Sequence, residues 1–409
     1  MAIAALSGWT REQKHVVAAS FLGWSLDAFD FFLLVFVLKD IAEEFHTDIS
    51  AVTLAILLTL AMRPIGAFIF GRAADRWGRR PTLMIDILFY SILEFASGFA
   101  PSLTVFIILR ALYGVAMGGE WGVGASLTME TIPPHARGFV SGLLQSGYPT
   151  GYFVASIVYG ALFPYIGWRG MFMIGVIPAL LVLYIRRNVP ESPSWSKEAA
   201  VKRGSTLTIL KSHWRLGIYA VVLMTAFNFF SHGTQDIYPT FLEVKQKLSP
   251  HAVGIIAVIY NIGAVAGGIL FGTLSERFGR RRCIIIAALL SLPVIPLWAF
   301  STSPALLAIG AFLMQFTVQG AWGVVPVHLN ELSPDTARGT FPGFVYQLGN
   351  LLASVNATLQ AGIASHFGGN YGLALAVVAG SVAVIIAGLT AVGTEAKGVA
   401  FSRAQAAVA

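Results

Sequence analysis

Asn228, Ser231, His232, Gln235 and Asp236 share one helical face inside a long apolar stretch of this 409-residue chain. His232 and Asp236 form an i,i+4 pair, the spacing at which a carboxylate can hold an imidazolium or pass it a proton. An ionisable group near the centre of a bilayer costs a few kcal/mol, so such groups face a cavity, a partner or a substrate. A polar seam gluing two helices needs neither five such groups nor an acid. The face reads as the lining of a polar path through a membrane. Asp30 and Arg110 suggest a second piece of chemistry. Each lies about 11 Å below the same surface at 1.5 Å per residue. A buried acid beside an arginine ionises as a pair, and without the arginine it holds its proton, which makes a switch. Arginine does not deprotonate, so Asp30 is the member that titrates. A static structural pair is the alternative.

The elements that position these residues are membrane helices. The chain is 56% hydrophobic and only 11% charged, with mean hydropathy +0.73, against about 25% charged in a soluble domain. Twelve apolar runs are each long enough to span a bilayer: about 16–38, 52–71, 81–99, 103–127, 138–160, 169–187, 214–241, 252–271, 283–300, 304–328, 340–362 and 370–392. The fold expected is an all-α membrane protein. The first run is too long for a signal sequence and is read as a retained helix. Short connections leave no room for a soluble catalytic or nucleic-acid-binding domain. No nucleotide loop, metal-ligand cluster or nucleophile motif is present, so neither an enzyme nor a metal site is expected. The net charge of +7 is not a nucleic-acid signal. Of 27 Lys and Arg, 21 fall on the side of both termini and four on the other. That is the positive-inside pattern of an inner-membrane protein with cytoplasmic termini. The acidic loop Asp40, Glu43, Glu44 and Asp48 faces the other way. Cys283 is the single cysteine and packs as a small apolar residue.

An internal repeat organises the chain. Gly71-Arg-Ala-Ala-Asp75-Arg76-Trp-Gly78-Arg79-Arg80 recurs as Gly272-Thr-Leu-Ser-Glu276-Arg277-Phe-Gly279-Arg280-Arg281, displaced by 201 residues. Glu130 with Arg137 recurs as Glu331 with Arg338, and Trp121-Gly-Val as Trp322-Gly-Val, at the same displacement. The division predicted is a six-helix half over 1–187, a polar cytoplasmic linker over 188–213 carrying Lys197, Lys202, Arg203 and Lys211, and a second half over 214–409. Paired halves build alternating-access transporters, with the substrate near the midplane. The same displacement sends Asp27 to Asn228 and Asp30 to Ser231, so the acidic face of segment 1 and the polar face of segment 7 oppose each other. Ser146 maps to Gln347.

The doubled Gly-x-x-x-Asp-Arg-x-Gly-Arg-Arg loop and the Pro190-Glu-Ser-Pro193 element resemble the major facilitator superfamily over nearly the whole chain. Leu-Asp27-Ala-Phe-Asp30-Phe and Arg110-x-x-x-Gly114-x-x-x-Gly118-Gly119-Glu120 are similar to its sialate:proton symporter family. The segment 7 string resembles the Asn-x-x-Ser/Thr-His-x-Ser/Thr-Gln-Asp-x-x-x-Thr signature of its lactate/pyruvate:proton permeases. In that family the bacterial sialic acid permeases lack the string and carry extra segments, so the resemblance implies the monocarboxylate branch. The proton-coupling candidates are Asp27, Asp30, Arg110, Glu120 and Asp236. The Asp30–Arg110 arrangement resembles the Asp–Arg pair of the proton-coupled sugar porters, and Glu120, deeper in segment 4, is either a coupling or gating residue or a buried hydrogen-bond partner. Substrate recognition is expected from Asn228, Ser231, His232, Gln235, Tyr148, Gln347 and Asn350, the last two three apart on one face of segment 11. Asp236 either charges His232 or itself carries the proton. Arg63, before Pro64, is read as structural, and Asp86 and Glu94 have no assigned role.

The loop charges Asp75, Arg76, Arg79, Arg80, Glu130, Arg137, Glu276, Arg280, Arg281, Glu331 and Arg338 are expected to gate, bridging helix ends in the outward-open state. Single exposed pairs contribute about 0–1 kcal/mol, so only a network can do so. Topology determination is the alternative. The reading expected is a monomeric symporter importing a small monocarboxylate, lactate or pyruvate foremost, with the proton as coupling ion and no other cofactor. Its partners are the carboxylate and the lipid bilayer. A sialic acid or other organic-anion symporter is the second reading, and a non-transporting sensor would need a long signalling tail.

Overall fold

The computed structural model describes residues 8–196, 208 and 211–401, and its regular elements are all helical. Twelve passes follow one another: α1 Arg11–Phe36, α2 Ile49–Trp77, α3 Arg79–Ser97, α4 Leu103–Thr131, α5 137–166, α6 168–188, α7 Trp214–Lys245, α8 Pro250–Phe278, α9 Arg280–Phe300, α10 Pro304–Leu332, α11 341–366 and α12 Tyr371–Val392. A helix satisfies its own backbone, which hydrocarbon demands. Nine helices among the described residues are both long and apolar enough to cross a membrane. α3 falls outside that set because it carries Arg79, Arg80, Asp86 and Glu94, and α11 because it breaks at Ser354–Val355.

Local chemistry sets the ends. Thr10 and Gln13 cap α1 reciprocally as a capping box, and Ser102, Ser249 and Asn370 cap α4, α8 and α12. Several passes overrun the apolar runs: α2 continues from 71 to Trp77 and α10 from 328 to Leu332, because hydropathy fades at the polar ends before the backbone hydrogen bonding does. Gly167, at φ 60°, reverses the chain between α5 and α6. Of the linker, Lys197, Lys202 and Arg203 lie outside the described residues, and Lys211 is exposed.

The repeated loops explain their glycines. Gly78 (φ 108°) and Gly279 (φ 94°) end α2 and α8 and open α3 and α9 in a conformation that side chains rarely adopt. A Cβ on Gly78 would strike the Glu191 carboxylate, and one on Gly279 would meet Glu395 at 2.8 Å. Those carboxylates accept from the first amides of the next helix: Glu191 from Arg79 N (2.9 Å), Glu395 from Arg280 N (3.2 Å) and Arg281 N (3.0 Å).

Passes α1–α6 and α7–α12 meet most closely toward the side of these loops, the motif side. A Cβ on Gly122 of α4 would lie 2.7 Å from Gly343 of α11, and one on Gly142 of α5 would strike the α8 backbone at Gly268. Asp75 accepts from Gly339 N (2.8 Å), Thr340 N (3.0 Å) and Thr340 Oγ1 (2.7 Å). Ser126 Oγ donates to Arg338 O (2.7 Å), and Ser141 Oγ accepts from Val327 N (3.1 Å). These contacts run up to Trp121 against Tyr346, 4.6 Å between ring centroids. The site above them is therefore shut from the motif side.

Candidate functional site

The α7 string forms a bridge to α11. His232 Nδ1 lies 3.1 Å from Asp236 Oδ1, and its Nε2 lies 3.1 Å from Asn350 Oδ1. Both ring nitrogens are therefore engaged, and the ring and Asp236 each keep 34% of their side-chain surface accessible. The α-helix ends at Gln235, where Asp236 caps it and donates its N–H to His232 O (2.9 Å). Gln235 and Ser231 face α10 instead. Gln235 Nε2 donates to Gln315 Oε1 (2.9 Å), Gln319 Nε2 to Ser231 Oγ (3.3 Å) and Gln315 Nε2 to Thr234 Oγ1 (2.9 Å). Asn228 is buried and donates to Met224 O of its own helix (2.8 Å), so it contributes less to an open lining than its spacing suggested. Gln347 of α11 is buried with neither amide atom hydrogen-bonded among the described residues. Tyr148 packs its ring on Trp24 (5.5 Å) and Phe32 (5.3 Å) of α1.

The second cluster lies inside α1–α6. Asp27, Asp30, Asp86, Glu94 and Glu120 are all buried around Arg110, Tyr90 and Tyr113. Here the expected Asp30–Arg110 pair is not the one that forms. Arg110 Nη1 ion-pairs with Glu94 Oε2 at 2.7 Å, while Nη2 donates to Ser97 Oγ (2.8 Å). The guanidinium also lies over Tyr113, 4.3 Å from its centroid. The reason is packing: α3 runs beside α4, and Glu94, one turn from the end of α3, reaches Arg110 directly. The carboxylate oxygens of Asp27, Asp30, Asp86 and Glu120 have no hydrogen-bond donor among the described residues. Glu120 is fitted against α1 at Gly23, where a Cβ would strike its oxygen.

The charges on the motif side fall into two triads related by the repeat. Arg79 ion-pairs with Asp75 (3.2 Å) and Glu130 (3.0 Å), and Arg338 of the other half approaches Glu130 at 3.9 Å. Arg280 pairs with Glu276 (2.8 Å) and Glu331 (2.9 Å), and Arg137 approaches Glu331 at 3.8 Å. Both triads cross the boundary between halves. Phe401 lies between the two crossing arginines, its ring centroid 3.7 Å from Arg137 and 4.2 Å from Arg338. Three expected members differ. Arg76 is exposed and lies over Trp77 (5.9 Å). Arg80 and Arg281 donate to backbone carbonyls, of Arg186 and of Thr390, rather than to carboxylates. Each follows the triad arginine by one residue, about 100° further round its helix, so it points to a neighbouring helix end rather than into the triad. Ser192, in the Pro190–Pro193 element, hydrogen-bonds Glu130, and Glu191 caps α3.

Two six-pass halves around a polar site that is shut on one side define a membrane transporter. The chain belongs to the Major Facilitator Superfamily, whose sequence profile matches it twice, over residues 20–246 and 221–407. It is accordingly a transporter and not an enzyme. It is 31% identical over 375 residues to a carboxylic acid transporter protein homolog of Saccharomyces cerevisiae, covering 85% of this chain and 61% of that protein. It is 28% identical over 379 residues to the sialic acid transporter NanX of Escherichia coli K12, covering 91% and 93%. The cis,cis-muconate transport protein of Acinetobacter baylyi is 28% identical over 369 residues, covering 88% and 89%. Among solved structures, the proton:xylose symporter XylE superposes with a TM-score of 0.74 at 19% identity, over 92% of this chain and 94% of that one. The human organic anion transporter MFSD10 gives 0.73 at 16%, over 93% and 100%.

Proposed function

We propose that this protein is a proton-coupled symporter importing a small monocarboxylate, lactate or pyruvate foremost, by alternating access. The observation that carries the reading is the His232 bridge. One imidazole, held by Asp236 on its own helix and Asn350 on α11, stands accessible between helices on the side away from the closed triads. It offers a donor, and when protonated a charge, to an anion of a few heavy atoms. Relatives whose names describe carboxylic acid, sialic acid and muconate transporters support an organic-acid substrate. The coupling ion is the proton, moved by Asp27, Asp30, Glu120 and Asp236 with Arg110 as the fixed cation. The motif side is the cytoplasmic side of the inner membrane by the positive-inside rule, which makes the described state outward-facing and puts both termini inside. The triads are its gate, the halves divide at 1–187, 188–213 and 214–409, and the protein works as a monomer.

A sialic acid or other organic-anion symporter is the second reading, favoured by NanX. Segment number does not separate the two, because the match spans 93% of that transporter. Uptake of lactate, pyruvate, acetate and sialic acid into proteoliposomes, with and without an inward proton gradient, decides. Uphill lactate or pyruvate uptake only with the gradient is expected, and accumulation without it removes the coupling.

A further inference from the structure

A cavity of about 430 Å³ opens on the motif side of the second half, between the α8–α9 loop and the chain that leaves α12. Four cations line it: Arg277 at the end of α8, Arg281 and Arg282 at the start of α9, and Lys397 beyond α12. None of the four forms an ion pair among the described residues. Arg281 Nε donates to Thr390 O (2.8 Å), Lys397 Nζ reaches Arg277 O at 3.5 Å, and the Arg277 guanidinium lies over the Phe278 ring, 5.4 Å from its centroid. Glu395 is the one carboxylate in the lining, and three backbone amides already occupy it, those of Arg280 (3.2 Å), Arg281 (3.0 Å) and Lys397 (3.2 Å). Four like charges around one opening repel one another, and an anion between them relieves that repulsion.

The repeat shows that the loop itself does not require all four. Arg277 and Arg281 correspond to Arg76 and Arg80, but Arg282 corresponds to Pro81 and Lys397 to Ser196. Two cations are thus added at this cavity beyond those the shared loop carries. The wall that continues from it is apolar and open. Phe278 stands exposed at the rim, and Ile286 and Leu290 of α9 and Ile385 and Val392 of the adjacent α12 are exposed along the flank leading toward the middle of the passes. A small free anion would use the cations alone, whereas a molecule with a phosphate at one end and hydrocarbon at the other would use both surfaces. The cavity also lies where apolar passes meet polar loops, the depth of lipid headgroups. We infer that it is a binding site for an anionic glycerophospholipid, the phosphodiester held by Arg277, Arg282 and Lys397 and an acyl chain lying along the α9–α12 flank. A zwitterionic headgroup would bring a further cation among four, so a headgroup without an amine is preferred. The loop that carries Arg280 forms one wall, so a lipid seated there braces the second-half triad from outside. The inference does not depend on which substrate is carried.

The test titrates the intact protein in dodecyl maltoside micelles with phosphatidylglycerol and with phosphatidylcholine of the same acyl chains, reading bound lipid by native mass spectrometry. Phosphatidylglycerol should bind at least about tenfold more tightly. Arg282→Gln combined with Lys397→Gln should weaken it about 25-fold, at roughly fivefold per cation. Arg186→Gln combined with Arg187→Gln removes the same charge from exposed positions at the end of α6, on the motif side of the other half. That pair should change the affinity by less than about twofold, because the cavity rather than net charge holds the lipid. Arg282→Gln alone should weaken binding about fivefold, and it carries the test if the double variant does not fold. Millimolar inorganic phosphate or glycerol phosphate should leave the lipid bound. Displacement by either would mark the site as one for a soluble anion and overturn the lipid assignment. Equal affinity for the two lipids, or equal losses in the two double variants, overturns it as well.

Discussion

The two halves share a backbone plan but hold opposite kinds of polarity. In α1–α6 the interior holds Asp27, Asp30, Arg63, Asp86, Glu94, Arg110 and Glu120. Their repeat mates in α7–α12 are Asn228, Ser231, Ala264, Ala287, Ile295, Ala311 and Ala321, without a single charge. At the level of these mates the second half uses amides, hydroxyls and the His232 imidazole, several of them paired: Gln235 with Gln315, Gln319 with Ser231, Asn350 with His232, while the buried His328 lies nearer the motif side. Of those seven first-half groups only Glu94 and Arg110 form an ion pair, and four carboxyl groups have no hydrogen-bond donor among the described residues. Satisfied neutral networks fix shape, whereas unpaired buried charge is kept only where it is used. On the proposed function, proton handling is assigned to one half and substrate reading mainly to the other.

The sharpest way to break this division is to neutralise the first half. One proton carried per substrate supports up to about tenfold accumulation across a one-unit pH gradient. Asp30→Asn should reduce that ratio to ~1 while exchange between substrate pools continues, as counterflow in proteoliposomes would register. Uphill uptake by the variant would mean that Asp30 is not the carrier. Next in size is the second half. His232→Ala removes the group held by both Asp236 and Asn350, and should raise the lactate KM by roughly 5- to 150-fold, the effect of about 1–3 kcal/mol. Asn228→Ala, whose side chain is turned back on Met224, should change it less. Equal effects would undo the distinction between lining and backbone-tied polar groups.

The gate offers a smaller effect. Each cation–π contact contributes about 0.5–2 kcal/mol, so Phe401→Ala should shift the balance toward the inward-facing state. Spin labels at the exposed positions Arg72 and Arg282, in a Cys283→Ala background, should then show a longer distance component. An unchanged distribution would make the Phe401 contact incidental. The smallest effect belongs to the opposite face. Glu44 accepts from Trp168 Nε1 (2.5 Å) and pairs with Arg169 (2.7 Å). Partial burial alone would push its carboxyl up, but those hydrogen bonds and the Arg169 charge outweigh it and hold it below the usual carboxylate range. A depressed carboxyl stabilises above its unfolded value, about 4.3, and loses that contribution as pH falls. Wild type should exceed Glu44→Gln by about 0–1 kcal/mol at neutral pH. Thermal melting should show that margin shrink below about pH 4.

Apolar runs located the twelve passes, because hydrocarbon admits little besides a helix, although charge in α3 and the break in α11 leave those two below a plain length-and-hydropathy test. The 201-residue displacement made the triads legible as copies, and helical spacing brought out His232 and Asp236. What escaped was lateral neighbourhood. Nothing in one sequence says that α3 lies beside α4 at the height of Glu94, so Arg110 was matched by depth to Asp30 instead. Gln315 and Gln319 were hidden for the same reason, as isolated amides in an apolar run.

The carboxylate caps at the repeated loops carry a mechanical consequence. Glu191 and Glu395 stand 204 residues apart, three out of step with the loops they hold, yet each grips the first amides of the corresponding helix. Each follows directly on the last pass of its own half, so the end of every six-pass unit is fastened to its own second loop. Each half is thereby closed into a ring whose clasp lies within its own stretch of chain. A ring so fastened resists internal shear and tilts as one body, which leaves the connecting tether only the task of keeping two rockers together.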